Sequence, residues 1–189
     1  MDQVAMMVKV IGETNRVVEG IEPSQLDNPS PCDEWTVRDV LNHITAGSTM
    51  FAVCVRDGSI SDEQLGEIMA GDNLGTDYKG AFRTASAAAL DAFDEPGAAE
   101  KMVNLPFGEM PAGAAINIAI FDVATHTWDL AQGTGQTMQL DPEVLAAAYE
   151  LAQQMIPNMR AGGMVADEVI VAADAPLQDR LVALTGRTP

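Results

Sequence analysis

The chain contains two histidines, His43 and His126, and each lies among apolar residues in a segment with helical periodicity. Asp122 precedes His126 by four residues, so on a helix both side chains project from the same face. A carboxylate and an imidazole at this spacing can converge on one metal ion, as two histidines do in helical zinc sites. His43 from a facing helix would complete two imidazoles and one carboxylate, the set typical of an open, catalytic zinc site.

The same residues allow a simpler interpretation. A histidine on an apolar face is usually a core residue with a hydrogen-bond partner, and Asp122 and His126 could pair with each other within one helix. Against this, Asp122 is surrounded in sequence by Ile118, Ile120 and Phe121, and a buried carboxylate is costly unless it is paired or binds a metal. The spacing alone therefore leaves both a metal centre and a plain Asp–His pair open.

Further residues are candidates for supporting roles. Asp129 follows His126 by three residues and could accept an imidazole N–H, or it could instead be a partner for Trp128 or a loop amide. Arg160 and Arg180 are candidates for binding an anionic substrate near the mouth of the site.

Composition excludes several classes of partner. The chain has 189 residues and a formal net charge of −18, so it would repel nucleic-acid phosphates and anionic lipid, and we expect neither a nucleic acid nor a membrane as partner.

The start, Met1-Asp2-Gln3, lacks the basic region of a signal peptide. Cys32 and Cys54 are too few for a disulfide framework, and no cationic residue flanks Cys32 closely. We expect a cytoplasmic protein with reduced thiols.

Helical periodicity and capping residues predict an all-α fold in the main. Four long helices of bundle length precede a fifth helix that Pro157 is expected to end. Thr36 with Asp39 forms a predicted capping box, and Asp141 with Pro142 is the predicted start of the fifth helix. The main helices are predicted over residues 2–20, 37–56, 77–94, 111–132 and 142–155.

Shorter elements are predicted between and after these helices. They are a short helix over 61–70, an extended segment over 100–105, a small strand over 168–172 and a last helical turn over 177–184. Residues 1–160 would form a four-helix metal-binding bundle, and residues 161–189 a short C-terminal appendage packed on it. Bundles place ligand and metal sites in their cores, on facing helices.

Several segments together resemble one actinobacterial family, the DinB-like proteins of the mycothiol-dependent maleylpyruvate isomerase type. The resemblance covers nearly the whole chain. It is carried by PSPCDEWTVRDVLNH at 29–43, LPFG at 105–108, FDVATHTWDLA at 121–131, ADAPLQDRL at 173–181 and the Gly-Arg pair at 186–187. The resemblance implies an up-down-down-up four-helix bundle whose divalent metal, usually zinc, is held by His43, Asp122 and His126.

The resemblance also implies a function. Mycothiol would be the co-substrate, and its metal-bound thiolate would attack a small electrophile in an S-transferase or isomerase reaction. Asp122 stands where the isomerase type has glutamate, and a short tail stands where that type has a sizeable C-terminal domain, so maleylpyruvate is not implied as the substrate. The alternative is a non-catalytic bundle that binds a metal or small ligand. The pattern is compatible with a homodimer but does not require one.

Overall fold

The computed structural model describes residues 2–32, 34–163 and 165–189, and over these residues the chain is mainly helical, as expected. An antiparallel hairpin of two short strands, β1 (Met102–Leu105) and β2 (Gly108–Pro111), joins the fourth and fifth helices. The helices are α1 (Gln3–Glu19), α2 (Val37–Asp57), α3 (Asp62–Ala70), α4 (Tyr78–Asp94), α5 (Ala112–Gly133), α6 (Pro142–Ala161) and α7 (Leu177–Leu184).

The helix ends follow the capping residues that the sequence predicts. Thr36 caps α2 and forms the reciprocal capping box with Asp39, and Gly58 ends that helix in the left-handed conformation. Asp141 caps α6, with Pro142 at its first position. These caps fix where α2 begins, and α2 carries His43.

Two predicted features of the C-terminal part are wrong. Pro157 does not end α6, which continues to Ala161, because Ile156 packs in a buried cluster with Phe121 and Leu181 that holds the helix on both sides of the proline. Residues 168–172 form no strand, and the backbone N–H of Val169 instead donates to the carbonyl oxygen of Ala183 in the last turn of α7. Strand β2 was not foreseen.

The four long helices α1, α2, α4 and α5 pack around a shared core. Helices α1 and α2 each contact both α4 and α5, and Thr14 and Thr127 form a buried hydrogen bond of 2.7 Å between α1 and α5. Alanines on α5, such as Ala115, Ala119 and Ala124, are buried and let the neighbouring helices approach closely.

Helix α5 is the centre of the fold because α6 and α7 pack on the side of it that α1 and α2 leave uncovered. Nearly all of its second half, from Ile120 to Ala131, is buried. The residues between α7 and the C-terminus return to α5, where Arg187 meets Asp129. None of the described helices combines the length and apolar character that crossing a membrane requires.

Gly186 turns the chain after α7 and so sets the position of Arg187. Its φ is +85°, and an added Cβ would lie 2.5 Å from Cβ of Ala166 and 3.0 Å from the carbonyl oxygen of Asp167. We expect Gly186→Ala to lower the free energy of unfolding by about 2–4 kcal/mol, the sum of left-handed strain and overpacking. Urea denaturation measures this loss.

Gly135→Ala is the matched control, because Gly135 also has a positive φ, +68°, but nothing lies within 4 Å of its added Cβ. We expect it to lose only the left-handed strain, about 1–2 kcal/mol. Equal losses in the two variants would contradict the packing of residues 166–167 against the turn.

Candidate metal centre

His43 on α2 meets Asp122 and His126 on α5 where these two helices pack together. Nε2 of His43 lies 3.4 Å from Oδ1 of Asp122, and Nε2 of His126 lies 3.6 Å from the same oxygen. One ligand atom from each of the three residues lies within 4.8 Å of those from the other two. The structure therefore brings together the three residues predicted as ligands, and we refer to them as the triad.

The spacing within the triad fits a metal, and the contact between His43 and Asp122 is also a long hydrogen bond of 3.4 Å. Two ligands about 2.0–2.1 Å from a tetrahedral zinc ion lie roughly 3.3–3.4 Å apart, which is close to the two distances to Asp122 Oδ1. A contact of 3.6 Å is too long for a hydrogen bond. With two imidazole nitrogens and a carboxylate oxygen converging, the donor set suits Zn²⁺.

His126 is oriented by a buried carboxylate behind it. Its Nδ1 lies 2.8 Å from Oδ2 of Asp129, whose side chain has no solvent exposure. The protonated Nδ1 donates to Asp129, which leaves the Nε2 lone pair directed at the triad. Of the roles open for Asp129 in the sequence, the structure shows the imidazole acceptor.

Arg187 completes this support from the C-terminal end of the chain. Its Nε and Nη2 donate to the two oxygens of Asp129, each at 2.7 Å, and its Nη1 donates to Oγ1 of Thr185 at 2.9 Å. A two-pronged pair of this kind is geometrically specific. Sequence reasoning missed Arg187 because the contact joins residues far apart in the chain.

The charges keep both carboxylates ionised. Burial alone would raise the pKa of Asp122, but the hydrogen bond with His43 and the electrostatic interactions with the two histidines and Arg187 outweigh burial and lower that pKa. Burial likewise opposes ionisation of Asp129, and its hydrogen bonds with His126 and Arg187 lower its pKa. For His43, burial acts to lower the pKa. The hydrogen bond and the charge of Asp122 raise it by more than burial lowers it, so the pKa of His43 lies above its usual value.

Trp35 holds the two imidazole rings from the side. Its ring centroid lies 5.0 Å from that of His43 and 5.8 Å from that of His126, and its plane is stacked on His126 at 22°. The two imidazole centroids lie 4.8 Å apart. The loop before α2, which carries Trp35, therefore limits how far the imidazoles can turn.

Two cavities meet at the triad and share His43, Asp122 and Met159. The arginine cavity, about 490 Å³, is lined in addition by Pro31, Cys32, Trp35, Phe121, Thr125, His126, Gly163, Val165, Ala166, Thr185, Gly186 and Arg187. The methionine cavity, about 360 Å³, is lined in addition by Gly47, Met50, Phe51, Leu65, Met69, Pro106, Phe107, Ile118 and Met155. Both volumes lie in the range of small-molecule sites.

Two further side chains that line the arginine cavity, those of Thr125 and Cys32, have notable surroundings. Thr125 is 3% exposed, and its Oγ1 is buried without a hydrogen-bond partner among the described residues. Such an atom costs free energy unless a ligand or water pairs with it. Cys32 lies close to His126 and Asp129, and one atom from each forms a second group that could hold a metal.

The surroundings of the other sequence candidates are now defined. Arg160 donates to the carbonyl oxygens of Ala166 and Leu184, and Arg180 donates to the hydroxyl of Tyr149. Neither arginine lines the two cavities at the triad, and their role in binding an anionic substrate stays a prediction.

The two cysteines differ in their surroundings. Cys54 is fully buried, and burial raises the pKa of its thiol. Cys32 does have a cationic neighbour, because the charge of Arg187 interacts with it. No sequence neighbour of Cys32 revealed this contact, because Arg187 comes from the other end of the chain.

A match to a family model identifies the family of this chain. A family model described as the mycothiol maleylpyruvate isomerase N-terminal domain matches residues 9–131. Two proteins of Mycobacterium tuberculosis, one from each of two strains and both described as uncharacterized, are 32% identical over 182 residues, which is 91% of this chain and 90% of each relative.

Two crystal structures share the fold. The mycothiol-dependent maleylpyruvate isomerase has a TM-score of 0.65 at 16% identity, over 88% of this chain and 72% of its own. A histidine-to-alanine mutant of that isomerase has a TM-score of 0.64 at 15% identity, over 82% of this chain and 70% of its own. At these identities the likeness shows the fold alone.

The Asp129–Arg187 pair yields a stability prediction. Arg187→Gln leaves a buried carboxylate with only His126 as partner, and we expect it to lower the free energy of unfolding at pH 7 by about 3 kcal/mol. Arg38→Gln is the control, because Arg38 pairs with exposed Asp72, and an exposed ion pair contributes little to stability, so this variant should lose much less than Arg187→Gln. Urea denaturation in buffer that contains a metal chelator measures the free energy of unfolding of both variants.

The pH dependence of the same variant has a defined sign. A lowered pKa of Asp129 in the folded protein contributes stability above the unfolded value, about 3.9, and this contribution is lost as the pH falls through the folded pKa. Since Arg187 helps to lower that pKa, Arg187→Gln should lose less stability than wild type between pH 7 and pH 3. A steeper loss in the variant would contradict the pairing.

Proposed function

The chain belongs to the mycothiol maleylpyruvate isomerase N-terminal domain family, and from this premise we propose that it is a metal-dependent, thiol-using enzyme. The reaction proposed is a mycothiol-dependent S-transfer or isomerisation on a small electrophile. The observation that supports it most is the convergence of His43, Asp122 and His126 beside two cavities. The proposal includes the up-down-down-up order of the four long helices.

In this proposal the triad holds the metal. The side chains of His43 and Asp122 keep 27% and 31% of their surface exposed, so a small molecule can reach the ligand atoms from the cavities. Three protein ligands with an accessible position are typical of catalytic zinc sites. When bound, a divalent cation such as Zn²⁺ would favour the thiolate form of a thiol at neutral pH.

The residues around the triad keep the ligands in place. Asp129 fixes the ring of His126 through Nδ1, and Arg187 fixes Asp129. Asp122 is one methylene shorter than the glutamate that the resemblance aligns with it, which keeps its carboxylate close to α5. Helix α2 approaches this carboxylate closely, since an added Cβ on Gly47 would lie 4.0 Å from Oδ2 of Asp122.

The arginine cavity is the proposed site of the thiol co-substrate. Trp35 offers a ring on which an apolar part of the thiol can pack. The Thr125 hydroxyl, buried and without a hydrogen-bond partner among the described residues, would pair with a polar group of the thiol if binding exposed it. Arg187 is already paired with Asp129, so it shapes this cavity more than it adds free charge to it.

The setting of the reaction follows from the sequence. The net charge of −18 suits small-molecule partners and disfavours nucleic acids and anionic membranes, and the proposal places the enzyme in the cytoplasm. A homodimer is compatible with the proposal.

Metal binding by the triad is tested with His43→Ala, His126→Ala and Asp122→Asn. We expect wild type to bind one Zn²⁺ and to gain about 2.7 kcal/mol of stability at a zinc concentration one hundred times the dissociation constant. Each variant should bind zinc at least about tenfold more weakly, because second-shell changes alone cost 10–100-fold in metal sites. Equilibrium dialysis with metal analysis measures the binding.

Asp91→Asn is the control for Asp122→Asn, because Asp91 is an exposed acid on α4 away from the triad. It should bind zinc as wild type does. Wild type without stoichiometric zinc, or equal zinc binding in all four variants, would contradict the metal centre.

Turnover is a separate test. Zinc-loaded protein should accelerate consumption of mycothiol by an electrophile, and His126→Ala should abolish the acceleration. A protein that binds zinc through the triad but shows no turnover with any electrophile would instead be the non-catalytic metal-binding bundle.

A further inference from the structure

The methionine cavity differs in chemistry from the arginine cavity, although both reach the triad. Four methionines and two phenylalanines line it, together with a leucine, an isoleucine and a proline. Its polar lining consists of His43 and Asp122, and among the described residues no lysine or arginine lines it. A ligand in this cavity therefore touches apolar side chains everywhere except at the triad.

The mouth of this cavity exposes large apolar side chains to solvent. Phe107, in the turn between β1 and β2, is 50% exposed, and Met69, on α3, is 46% exposed. Helix α3 has no fully buried residue and packs on the core through half-buried Leu65, which leaves Met69 exposed. Exposed apolar side chains grouped at a cavity mouth are typical of ligand-binding sites.

The size of the cavity suits an aromatic or aliphatic molecule. A cavity of about 150 Å³ already admits benzene, and this one has about 360 Å³. Methionine side chains are flexible and polarizable, so they adapt to molecules of different shape. The lining thus suits apolar molecules of several shapes and does not select a single one.

The charges of the cavity act against anions. A carboxylate placed among these apolar side chains would be desolvated, and no lysine or arginine of the described residues lines the cavity to pair with it. The nearest guanidinium identified at the triad, that of Arg187, belongs to the other cavity and is paired with both oxygens of Asp129. A dicarboxylate would have to place at least one carboxylate away from the triad, where no lysine or arginine of the described residues lines the methionine cavity.

We propose that the methionine cavity binds the electrophilic substrate and that this substrate is an uncharged, apolar molecule with an aromatic or aliphatic body. This inference rests on the proposed function for the identity of the reaction. The co-substrate thiol would reach the triad from the arginine cavity, and the electrophile from the opposite side. Phe107 and Met69 at the mouth are then residues that determine specificity.

With a benzylic bromide as electrophile the transfer balances simply. The thiol sulfur forms a bond to the benzylic carbon while the carbon–bromine bond breaks. Bromide leaves with the bonding electron pair, and the thiol proton passes to solvent. No oxidant or reductant is needed.

Binding is tested first without any reaction. Protein labelled with ¹³C at the methionine methyl groups is titrated with 4-chlorobenzyl alcohol and, separately, with 4-chlorobenzoate. We expect the neutral probe to shift the methyl signals of Met50, Met69, Met155 and Met159, assigned through Met→Leu replacements, while the signal of Met7 in the α1 core stays unchanged. The anionic probe should bind at least about tenfold more weakly.

Charge selectivity is tested with Phe107→Lys. The added cation at the mouth should reduce the preference for the neutral probe over the anionic one by about tenfold, a change of about 1.4 kcal/mol. Val8→Lys is the matched control, because it changes the net charge by the same amount. Val8 is 51% exposed and lines neither cavity. Its preference should equal that of wild type.

Transfer to mycothiol is then compared for benzyl bromide and 4-(bromomethyl)benzoate. We expect kcat/KM to favour the neutral bromide over the anionic one, as binding favours the neutral probe.

The proposal is overturned if the neutral probe shifts none of the four methionine signals, or if anionic and neutral molecules bind equally. If the neutral probe binds as expected but no transfer occurs with either bromide, the apolar site stands and the proposed reaction fails. If transfer occurs equally with both bromides and no methionine signal shifts, the reaction stands and this inference fails.

Discussion

One buried carboxylate, that of Asp129, governs the arrangement of the site. It accepts hydrogen bonds from the imidazole of His126 and from two nitrogens of Arg187. A buried carboxylate is tolerated only with such partners, so the C-terminal end of the chain must return to α5. The same carboxylate sets the ring of His126 and holds Arg187 in place in the lining of the arginine cavity. The orientation of the His126 ring and the position of Arg187 in the arginine cavity thus both depend on the carboxylate of Asp129.

Helix α5 transmits this constraint to the rest of the fold. It is covered by α1, α2, α6 and α7, and its second half is almost entirely buried. Asp122 is the exception that opens to solvent, because it lies between the two cavities. The carboxylate proposed as a ligand is therefore accessible on a helix that cannot move freely. A rigid support with an accessible ligand set is what a catalytic metal centre needs.

Local sequence patterns predicted the parts of the structure that local physics determines. The capping residues Thr36 and Asp141 placed the starts of α2 and α6, and the four-residue spacing of Asp122 and His126 placed both on one face. Family resemblance supported the addition of His43. Contacts between distant segments were not predictable in this way, and the partnership of Arg187 with Asp129 is the clearest case. Pro157 misled for a related reason, since tertiary packing of α6 outweighs the local preference of proline to end a helix.

The central claim is that His43, Asp122 and His126 hold the metal together, and X-ray absorption at the zinc edge tests it most directly. A second group, Cys32 with His126 and Asp129, lies beside the triad, and sulfur at about 2.3 Å is readily distinguished from nitrogen and oxygen at about 2.0–2.1 Å. Protein loaded with one equivalent of Zn²⁺, without added thiol, should show two imidazoles and only nitrogen and oxygen ligands. A sulfur ligand from the protein, or zinc without imidazole scattering, would contradict the account.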